Sequence, residues 1–313
     1  MGRKPNVLFL LPPGWDALSK TLFGHEAFNG FLHGTDHYAP QQIDYFVGFR
    51  PPHGFLKTLP RLKAIFSLGA GVDGFLRDPE FPKHLPLVRF VDPTLMHEMA
   101  QYVTMHVLIA HRSQRRFDQS QRQGKWDQAM LARASRDTRI GILGLGDIGA
   151  TIATALLPFD FQLSGWSRSR KEIPGAKSFA GENELPAFLA QCDYCVCVLP
   201  LTDGTRGIMN AKFFAQLPKG AWVINVARGG HLIEEDLIAA LDSGHLAGAV
   251  LDVFQAEPLP AGSPIWQHPK ITATPHIAGI TDPQAALAYV ADCVTRCETG
   301  KSLDNVIDFS KGY

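Results

Sequence analysis

The stretch from Thr138 to Leu157, TRIGILGLGDIGATIATALL, constrains the fold of this chain more than any other segment. It opens with a short apolar run of strand character, and after Gly144, Gly146 and Gly149 its apolar residues recur at helical spacing. A turn this tight needs glycines because it requires backbone angles that a β-carbon forbids, close approach to a pyrophosphate, and room for the helix on the strand. The helix N-terminus then offers N–H groups to an anion. The segment predicts strand, turn and helix, and favours a dinucleotide site over an ordinary helix-opening loop.

Length and composition narrow the class of protein. The 313 residues are enough for two domains, each with its own core. With 30 basic and 30 acidic residues, the chain has no net charge to attract nucleic acid or an anionic membrane. No apolar run approaches the roughly 20 residues that cross a bilayer, and Val7–Leu11 is too short for the core of a signal peptide. We therefore expect a cytosolic globular protein that binds neither nucleic acid nor a membrane.

The five cysteines do not have the spacing of a metal site. Cys195 and Cys197 would share one face of a predicted strand, whereas Cys192 would not. Cys293 and Cys297 lie one helical turn apart, but no second pair with ligand spacing accompanies them. We expect buried free thiols and no metal.

Residues 1 to about 98 alternate short apolar runs with polar, Pro-rich or Gly-rich pieces, which indicates a small parallel α/β sheet. The predicted strands are Val7–Leu11, Ile43–Phe49, Leu62–Ser67 and Leu87–Val91. The loop from Ser67 to Asp73 follows one of them and is rich in small residues, so several of its N–H groups could point at a carboxylate. A plain strand-to-helix turn explains this loop equally well.

A long helix is predicted from His97 to Phe117, after a break at Asp92-Pro93. It ends in the basic stretch HRSQRRFDQSQRQGKW. We interpret this stretch as a solvated helix face, because no aromatic or glycine-rich pattern supports nucleic-acid binding. A helix of this length could also form the interface of a homodimer.

The end of the next predicted strand, Phe161–Trp166, indicates which dinucleotide binds. Sites that prefer NAD place an acidic residue there to accept hydrogen bonds from the ribose 2′-hydroxyl. This chain instead has Ser167-Arg168-Ser169-Arg170-Lys171, with no carboxylate. Arg168, with Ser167 and Arg170, can offer charge-assisted hydrogen bonds to a 2′-phosphate. The segment favours NADP over NAD, the alternative being an exposed basic loop.

Polar residues follow three of the later predicted strands. The four later predicted strands are Cys195–Leu199, Trp222–Ala227, Leu246–Phe254 and Ile271–Thr274, of which the last three carry these polar residues; a helix over Glu234–Leu241, stopped by Gly244, separates the second strand from the third. In an open parallel sheet, ligands bind outside the carboxyl ends of the strands. Arg228, Asp252 and His276 all lie at such ends, so we expect them to form one constellation.

Four motifs occur in one order: GLGDIG, NVARGGHLIEEDL, LDVFQAEPLP and TPHIAG. In these the chain resembles the D-isomer-specific 2-hydroxyacid dehydrogenase family, and the resemblance covers essentially its whole length. Within that family, WSRSRK, SPIWQHPKITATPHIAGIT and the final KGY are similar to the bacterial glyoxylate/hydroxypyruvate reductase A branch.

The resemblance implies an α/β fold of two Rossmann- or flavodoxin-like, doubly wound parallel-sheet lobes with an active-site cleft between them. Residues 1–98 with 284–313 would form the substrate-binding domain, and residues 99–283 the dinucleotide-binding Rossmann domain. A C-terminal helix from near Pro283, capped by Gly300, would return to the first lobe. Closure of the lobes would exclude water from hydride transfer.

The resemblance also implies reduction of small 2-oxo acids by NADPH: glyoxylate to glycolate, and hydroxypyruvate to D-glycerate. Arg228 matches the arginine that clamps the substrate carboxylate and polarises the carbonyl. His276 matches the general acid, and Glu257 the carboxylate that orients it and favours its charged form. Taken singly, these residues could be a turn arginine, a satisfied histidine and a loop carboxylate; their joint occurrence within the family motifs favours catalysis.

Further site residues follow from the resemblance alone. Backbone N–H groups of Gly69 and Ala70, next to Leu68, would bind the substrate carboxylate, and Asp252 would bond to the nicotinamide amide. The other implied cofactor residues are Gly144, Gly146, Asp147, Ile148, Gly149, Leu199, Pro200, Thr205, Ala227 and Gly279. Many family members have a basic residue where this chain has Asp147; we expect Asp147 to face solvent, because an acid pointing inward would repel the pyrophosphate.

Other histidines and other functions also have to be weighed. His97, His106, His111 and His268 lack the context of a motif, so we interpret them as structural or surface residues. Another D-2-hydroxyacid dehydrogenase, acting on larger 2-oxo acids, is a second hypothesis. A dinucleotide-sensing corepressor is a third, against which the neutral charge and compact length argue.

Overall fold

The computed structural model describes residues 3–12, 15, 25–128 and 133–310. The final KGY of the sequence lies outside the described residues. Contacts between Cα atoms divide the chain into two compact units, Met1–Leu95 with Thr281–Tyr313, and Met96–Ile280.

Twelve strands are present in the described residues. They are β1 (Asn6–Leu10), β2 (Asn29–Leu32), β3 (Tyr45–Gly48), β4 (Ala64–Ser67), β5 (Leu87–Arg89), β6 (Arg139–Leu143), β7 (Gln162–Ser167), β8 (Ala176–Ala180), β9 (Tyr194–Cys197), β10 (Ala221–Asn225), β11 (Leu246–Leu251) and β12 (Ile271–Ala273). The α-helices are Asp73–Leu76, Pro93–His111, Gln114–Arg122, Asp147–Leu156, Gly181–Leu189, Ala211–Gln216, Glu234–Asp242 and Pro283–Glu298. Single 3₁₀ turns occupy Pro40–Gln42, Phe55–Thr58, Ser135–Asp137, Leu157–Phe159, Gly229–His231 and Pro264–Gln267.

The first unit contains a five-stranded parallel sheet in the order β2-β1-β3-β4-β5. This is the flavodoxin-like order of a doubly wound sheet. Its inner strands are continuous apolar runs because both faces are covered. The helix Pro283–Glu298 packs on one face through residues such as Leu287 and Val290, and Leu56, Phe75 and Phe81 pack on the other.

The second unit contains a seven-stranded parallel sheet in the order β8-β7-β6-β9-β10-β11-β12. The chain winds outward from β6 in one direction and then, from β9, in the other, as in the Rossmann fold. The prediction of two doubly wound parallel-sheet domains is confirmed. In such a sheet the crevice for a ligand lies at the carboxyl ends of the strands, where the winding reverses.

The helix predicted over His97–Phe117 is wrong in its bounds. It begins at Pro93, where the fixed φ of proline suits the first helical position. It stops at His111, because Ser113 adopts a left-handed conformation with φ of 55°, and a second, polar helix, Gln114–Arg122, follows. The prediction also omitted β2 and β8. Both lie at a sheet edge and are only partly buried, so neither is a continuous apolar run.

All five cysteines are free thiols. Four are buried and Cys297 is half-buried, which agrees with the expectation from the sequence. Burial raises the pKa of the Cys197 thiol to about 12, so this group stays protonated at neutral pH. In the part of the chain that the structure describes, no group of three metal-ligating side chains is present. No helix in the same part is both long and apolar enough to cross a membrane.

Candidate active site

The three glycines after β6 serve three different purposes. Gly144 has φ of +106°, and a β-carbon there would lie 2.9 Å from the carbonyl oxygen of Val198. A β-carbon on Gly149 would lie 1.9 Å from the carbonyl oxygen of Gly144, so this glycine lets the helix approach the turn. Gly146, the N-cap of the helix Asp147–Leu156, faces open space. The turn therefore offers a backbone cradle at a helix N-terminus, which fits a dinucleotide pyrophosphate.

The first two residues of this helix are not fully buried. Asp147 is exposed, as expected, and Ile148 is half-buried. The negative charge of Asp147 interacts favourably with the positive end of the helix dipole. Because Asp147 is exposed, this charge lies outside the buried end of the strand. The cradle is thus formed by backbone rather than by side-chain charge.

The basic segment after β7 divides into two parts. Arg170 donates hydrogen bonds to the Ser178 carbonyl, at 2.7 Å, and to Oε1 of Glu184, at 2.6 Å. Hydrogen bonding from the Ala180 N–H and from Arg170 holds the pKa of Glu184 below its usual range. Ser167 Oγ donates to the Ser169 carbonyl at 2.6 Å. Of the two arginines predicted to face a 2′-phosphate, Arg170 is bound within its own unit, and both arginines are exposed.

The loop after β9 is shaped by Thr205. Its hydroxyl donates to the Pro200 carbonyl at 2.7 Å and accepts the N–H of Thr202 at 2.9 Å. Leu199 is buried and Pro200 half-buried. The predicted cofactor residue Thr205 thus uses its hydroxyl to fold the loop that begins at Leu199.

The turn after β10 holds Arg228. Asn225 folds it by donating to the Arg228 carbonyl at 3.1 Å and by accepting the N–H of the buried Ala227 at 3.1 Å. The half-buried guanidinium of Arg228 donates to the Ala227 carbonyl at 2.6 Å. A β-carbon on Gly229 would lie 1.9 Å from the backbone of Phe254, so this turn packs directly against the loop that follows β11.

Glu257 lies on that loop and contacts His276. Its Oε1 accepts the N–H of Phe254 at 3.0 Å, and its Oε2 lies 2.9 Å from Nδ1 of His276. Because the carboxylate occupies Nδ1, it fixes the plane of the imidazole and leaves Nε2 as the nitrogen that can exchange a proton with a ligand. The structure therefore brings Glu257 and His276 into contact and places the Arg228 turn against the same loop.

Asp252, one residue beyond β11, is 1% exposed and folds the turn that carries His276. Its Oδ1 accepts the Thr274 hydroxyl at 2.6 Å and the Ile277 N–H at 2.9 Å, while Oδ2 accepts the Ala278 N–H at 2.8 Å. The His276 N–H donates to the Asp252 carbonyl at 2.8 Å. The resemblance assigns Asp252 to the nicotinamide amide. In this structure its carboxylate accepts three hydrogen bonds from its own chain.

The adjacent parallel strands explain why these residues meet. Asn225 of β10 pairs with Leu251 of β11, which pairs with Ala273 of β12. The three strands therefore end at the same level, and the residues just beyond them share one edge of the sheet. Gly279, which is half-buried, follows the same turn.

The predicted substrate loop belongs to the first unit. Leu68 is buried, and its carbonyl accepts the Thr281 hydroxyl at 3.2 Å. The N–H of Gly69 donates to Ser67 Oγ at 3.3 Å, and Ala70 is half-buried. A role for these amides in binding a carboxylate stays a prediction.

Comparison with known proteins decides the family. Residues 104–278 match the model of the D-isomer specific 2-hydroxyacid dehydrogenase, NAD binding domain. The chain belongs to the D-isomer-specific 2-hydroxyacid dehydrogenase family. A glyoxylate/hydroxypyruvate reductase A of Serratia proteamaculans is 40% identical over 93% of this chain and 99% of its own length.

Two solved structures of this dehydrogenase family are similar over nearly the whole chain. A D-isomer specific 2-hydroxyacid dehydrogenase of Xanthobacter autotrophicus, in complex with NADPH and MES, is 38% identical with a TM-score of 0.91, covering 99% of this chain and 100% of that one. An NADPH-dependent glyoxylate/hydroxypyruvate reductase of Sinorhizobium meliloti, in complex with NADP and sulfate, is 35% identical with a TM-score of 0.93 and the same coverage. The predictions of family and of branch agree with these relatives.

Two features of this dehydrogenase site escaped prediction. His231 is fully buried, with Nδ1 3.1 Å from the Arg228 carbonyl and Nε2 3.2 Å from the Pro200 carbonyl, so it joins the Arg228 turn to the loop after β9. Its position three residues after Arg228 within the motif was the available signal. The contact of Tyr102 with Thr274 had no signal, because 172 positions separate the two residues.

Proposed function

We propose that this chain reduces small 2-oxo acids with NADPH, converting glyoxylate to glycolate and hydroxypyruvate to D-glycerate. The main support for the proposal is the contact between His276 Nδ1 and Glu257 Oε2, which are 2.9 Å apart. Glu257 lies on the loop that packs against the Arg228 turn. An imidazole oriented by a carboxylate, with an arginine on the turn that packs against the same loop, supplies the two groups that reduction of a 2-oxo acid needs, a proton donor and a carboxylate clamp. The relatives named above support the same activity.

The chain's own residues divide the work. The planar guanidinium of Arg228 binds the substrate carboxylate bidentately and polarises the neighbouring carbonyl oxygen. NADPH, when bound, supplies the hydride. His276 gives the proton on Nε2 to the forming alkoxide, while Glu257 stabilises the imidazolium and keeps its ring in place. In the oxidative direction the same nitrogen takes the proton back.

The residues of the second unit also fit NADPH. The Gly144, Gly146 and Gly149 turn holds the pyrophosphate by backbone N–H groups at a helix N-terminus. Arg168, next to the end of β7, binds the 2′-phosphate, because an arginine there attracts the extra charge and Ser167–Lys171 contains no carboxylate that would repel it. The hydroxyl of Ser167 donates to the Ser169 carbonyl instead. Arg170 donates to Oε1 of Glu184 at 2.6 Å.

The test is a steady-state comparison of NADPH with NADH at fixed glyoxylate, hydroxypyruvate and pyruvate. We expect turnover of glyoxylate and hydroxypyruvate with a strong preference for NADPH. Turnover of larger 2-oxo acids alone would favour the second hypothesis, a dehydrogenase of different substrate range. NADPH binding without turnover of any 2-oxo acid would favour a dinucleotide-sensing corepressor.

We also propose that the protein is a homodimer joined at the helix Gln114–Arg122. Trp126, just beyond this helix, is 90% exposed and lines an open groove of about 550 Å³ with Phe117. Tryptophan is enriched among the residues that contribute most to binding at protein interfaces. Light scattering should show a dimer that Trp126→Ser weakens and Trp266→Ser leaves intact; a monomeric wild-type protein would contradict this.

The cytosol as compartment, with no nucleic-acid or membrane partner, remains a prediction from composition.

A further inference from the structure

A hydrogen-bond chain leads from the helix Pro93–His111 to the turn that carries His276. The hydroxyl of Tyr102 lies 2.5 Å from Oγ1 of Thr274, and Thr274 Oγ1 donates to Oδ1 of Asp252 at 2.6 Å. Tyr102 is 9% exposed and Asp252 1% exposed. Three side chains from separate elements are thus joined in a largely buried line.

The donors and acceptors fix the direction of this chain. A carboxylate only accepts, so the hydrogen of the Thr274 hydroxyl points at Asp252. The oxygen of Thr274 then accepts the O–H of Tyr102. Burial raises the pKa of Tyr102 to about 12, with the hydrogen bond to Thr274 opposing this and Asp252 adding to it, so the phenol keeps its proton at neutral pH.

The ring of Tyr102 has little freedom to turn away from Thr274. The imidazole of His106 packs against it, with ring centroids 4.3 Å apart. His106 is buried, and its Nε2 has no hydrogen-bond partner among the described residues. Burial lowers the pKa of His106, while Asp252 opposes that effect, so the ring beside Tyr102 is neutral at neutral pH.

The far end of the chain is the backbone around His276. Asp252 accepts the N–H groups of Ile277 and Ala278, at 2.9 and 2.8 Å. His276 itself has φ of +57°, a left-handed conformation that is strained for a residue with a β-carbon. Such a conformation persists only where its surroundings hold it, and the Asp252 carboxylate binds the two amides that follow it.

We propose that Tyr102 and Thr274 are positioning residues for His276. By donating in sequence to Asp252, they set the rotation of its carboxylate, and the carboxylate in turn holds the strained backbone that aims the imidazole at Glu257. This inference rests on the proposed function, in which His276 is the proton donor. Loss of either hydroxyl frees the carboxylate to turn, loosens the two amides and disorders the imidazole.

Two variants remove single hydroxyls with little change of shape, Tyr102→Phe and Thr274→Val. The matched control is Tyr194→Phe, since Tyr194 is also buried at 8% exposure, has its pKa raised to about 12 mainly by burial, and lies at the opposite end of the sheet, in the first position of β9. Thr274→Ser keeps the hydroxyl and is the rescue variant.

The first readout is steady-state turnover of glyoxylate. We expect Tyr102→Phe to lower kcat about 10-fold, equivalent to about 1.4 kcal/mol, with the KM for NADPH unchanged. Thr274→Val should lower kcat at least as much, and the double variant should lose no more than Thr274→Val, because both substitutions break one chain. Tyr194→Phe and Thr274→Ser should retain wild-type kcat. A kcat of Tyr102→Phe equal to that of Tyr194→Phe would overturn the inference.

The second readout does not need activity. Amide hydrogen exchange of the protein without ligands should be faster at Ile277 and Ala278 in Tyr102→Phe and in Thr274→Val than in the wild type or in Tyr194→Phe. Unchanged exchange at these two amides would refute the positioning role. If the wild-type protein reduces no 2-oxo acid, the proposed function fails, while the exchange experiment still decides whether the chain holds the turn.

Discussion

Arg168 provides the sharpest test of cofactor choice. It is exposed at the end of β7, where no carboxylate is present to accept from a ribose 2′-hydroxyl. Its neighbour Arg170 has the same charge and is bound to Glu184 at 2.6 Å and to the Ser178 carbonyl at 2.7 Å. Arg168→Ala removes the proposed phosphate contact, and Arg170→Ala is its control for the loss of one positive charge.

The magnitude follows from the chemistry of the contact. Hydrogen bonds to charged groups contribute about 1.5–3 kcal/mol, and an exposed arginine belongs at the low end because water and salt screen it. A loss of about 1.4 kcal/mol is a factor of 10 in affinity. We expect Arg168→Ala to lower kcat/KM for NADPH about 10-fold and to leave kcat/KM for NADH unchanged.

The assay is the ratio of kcat/KM for NADPH to that for NADH, measured at saturating glyoxylate for the wild type and both arginine variants. Arg170→Ala should change this ratio little, and the effect of Arg168→Ala should shrink as the salt concentration rises. Equal losses with both cofactors, or an Arg170→Ala variant that loses as much NADPH preference as Arg168→Ala, would contradict the role of Arg168 in binding the 2′-phosphate.

Two further predictions concern the glycine turn and acid stability. Gly149→Ala should lower the melting temperature or prevent folding, because its β-carbon would lie 1.9 Å from the Gly144 carbonyl oxygen. Gly146→Ala should keep the wild-type melting temperature and weaken NADPH binding, because a β-carbon there meets no other atom. Equal melting temperatures for the two variants would contradict this. Burial opposes ionisation of Asp193, but hydrogen bonds from the side chain and backbone of Arg139 outweigh it and hold the pKa of Asp193 below its usual range. The resulting stability is present above the unfolded pKa of about 3.9 and is lost as pH falls through the folded pKa. Asp193→Asn should therefore cost about 2 kcal/mol of unfolding free energy at pH 7 and less below about pH 4, and a difference that does not vary with pH would exclude this account.

The central strands were predictable because burial on both faces leaves a continuous apolar run. β6, whose last four residues are buried, is found from sequence for this reason. The edge strands β2 and β8 carry polar and half-exposed residues, so a search for apolar runs omits them. The break between the helices Pro93–His111 and Gln114–Arg122 was also not predictable from local sequence, because a serine in a polar stretch does not indicate a left-handed φ.

The part of the candidate site that lies at the carboxyl ends of strands was predictable from the sequence. Arg228, Asp252 and His276 meet at one edge because β10, β11 and β12 are adjacent and parallel, which the order of strands and motifs implies. Partners from other elements were not predictable in this way. Glu184 is 14 positions from Arg170 and Thr274 is 172 positions from Tyr102, and only the folded chain shows that they touch.

The role of His276 as proton donor is tested by comparing the wild-type protein with His276→Asn. NADPH oxidation in the presence of glyoxylate reports turnover, and the fluorescence of bound NADPH reports cofactor affinity in the same samples. We expect the variant to bind NADPH as the wild type does and to lose about 100-fold or more in kcat, because the substitution removes the general acid. Wild-type turnover by His276→Asn would contradict the assignment of His276 as the proton donor.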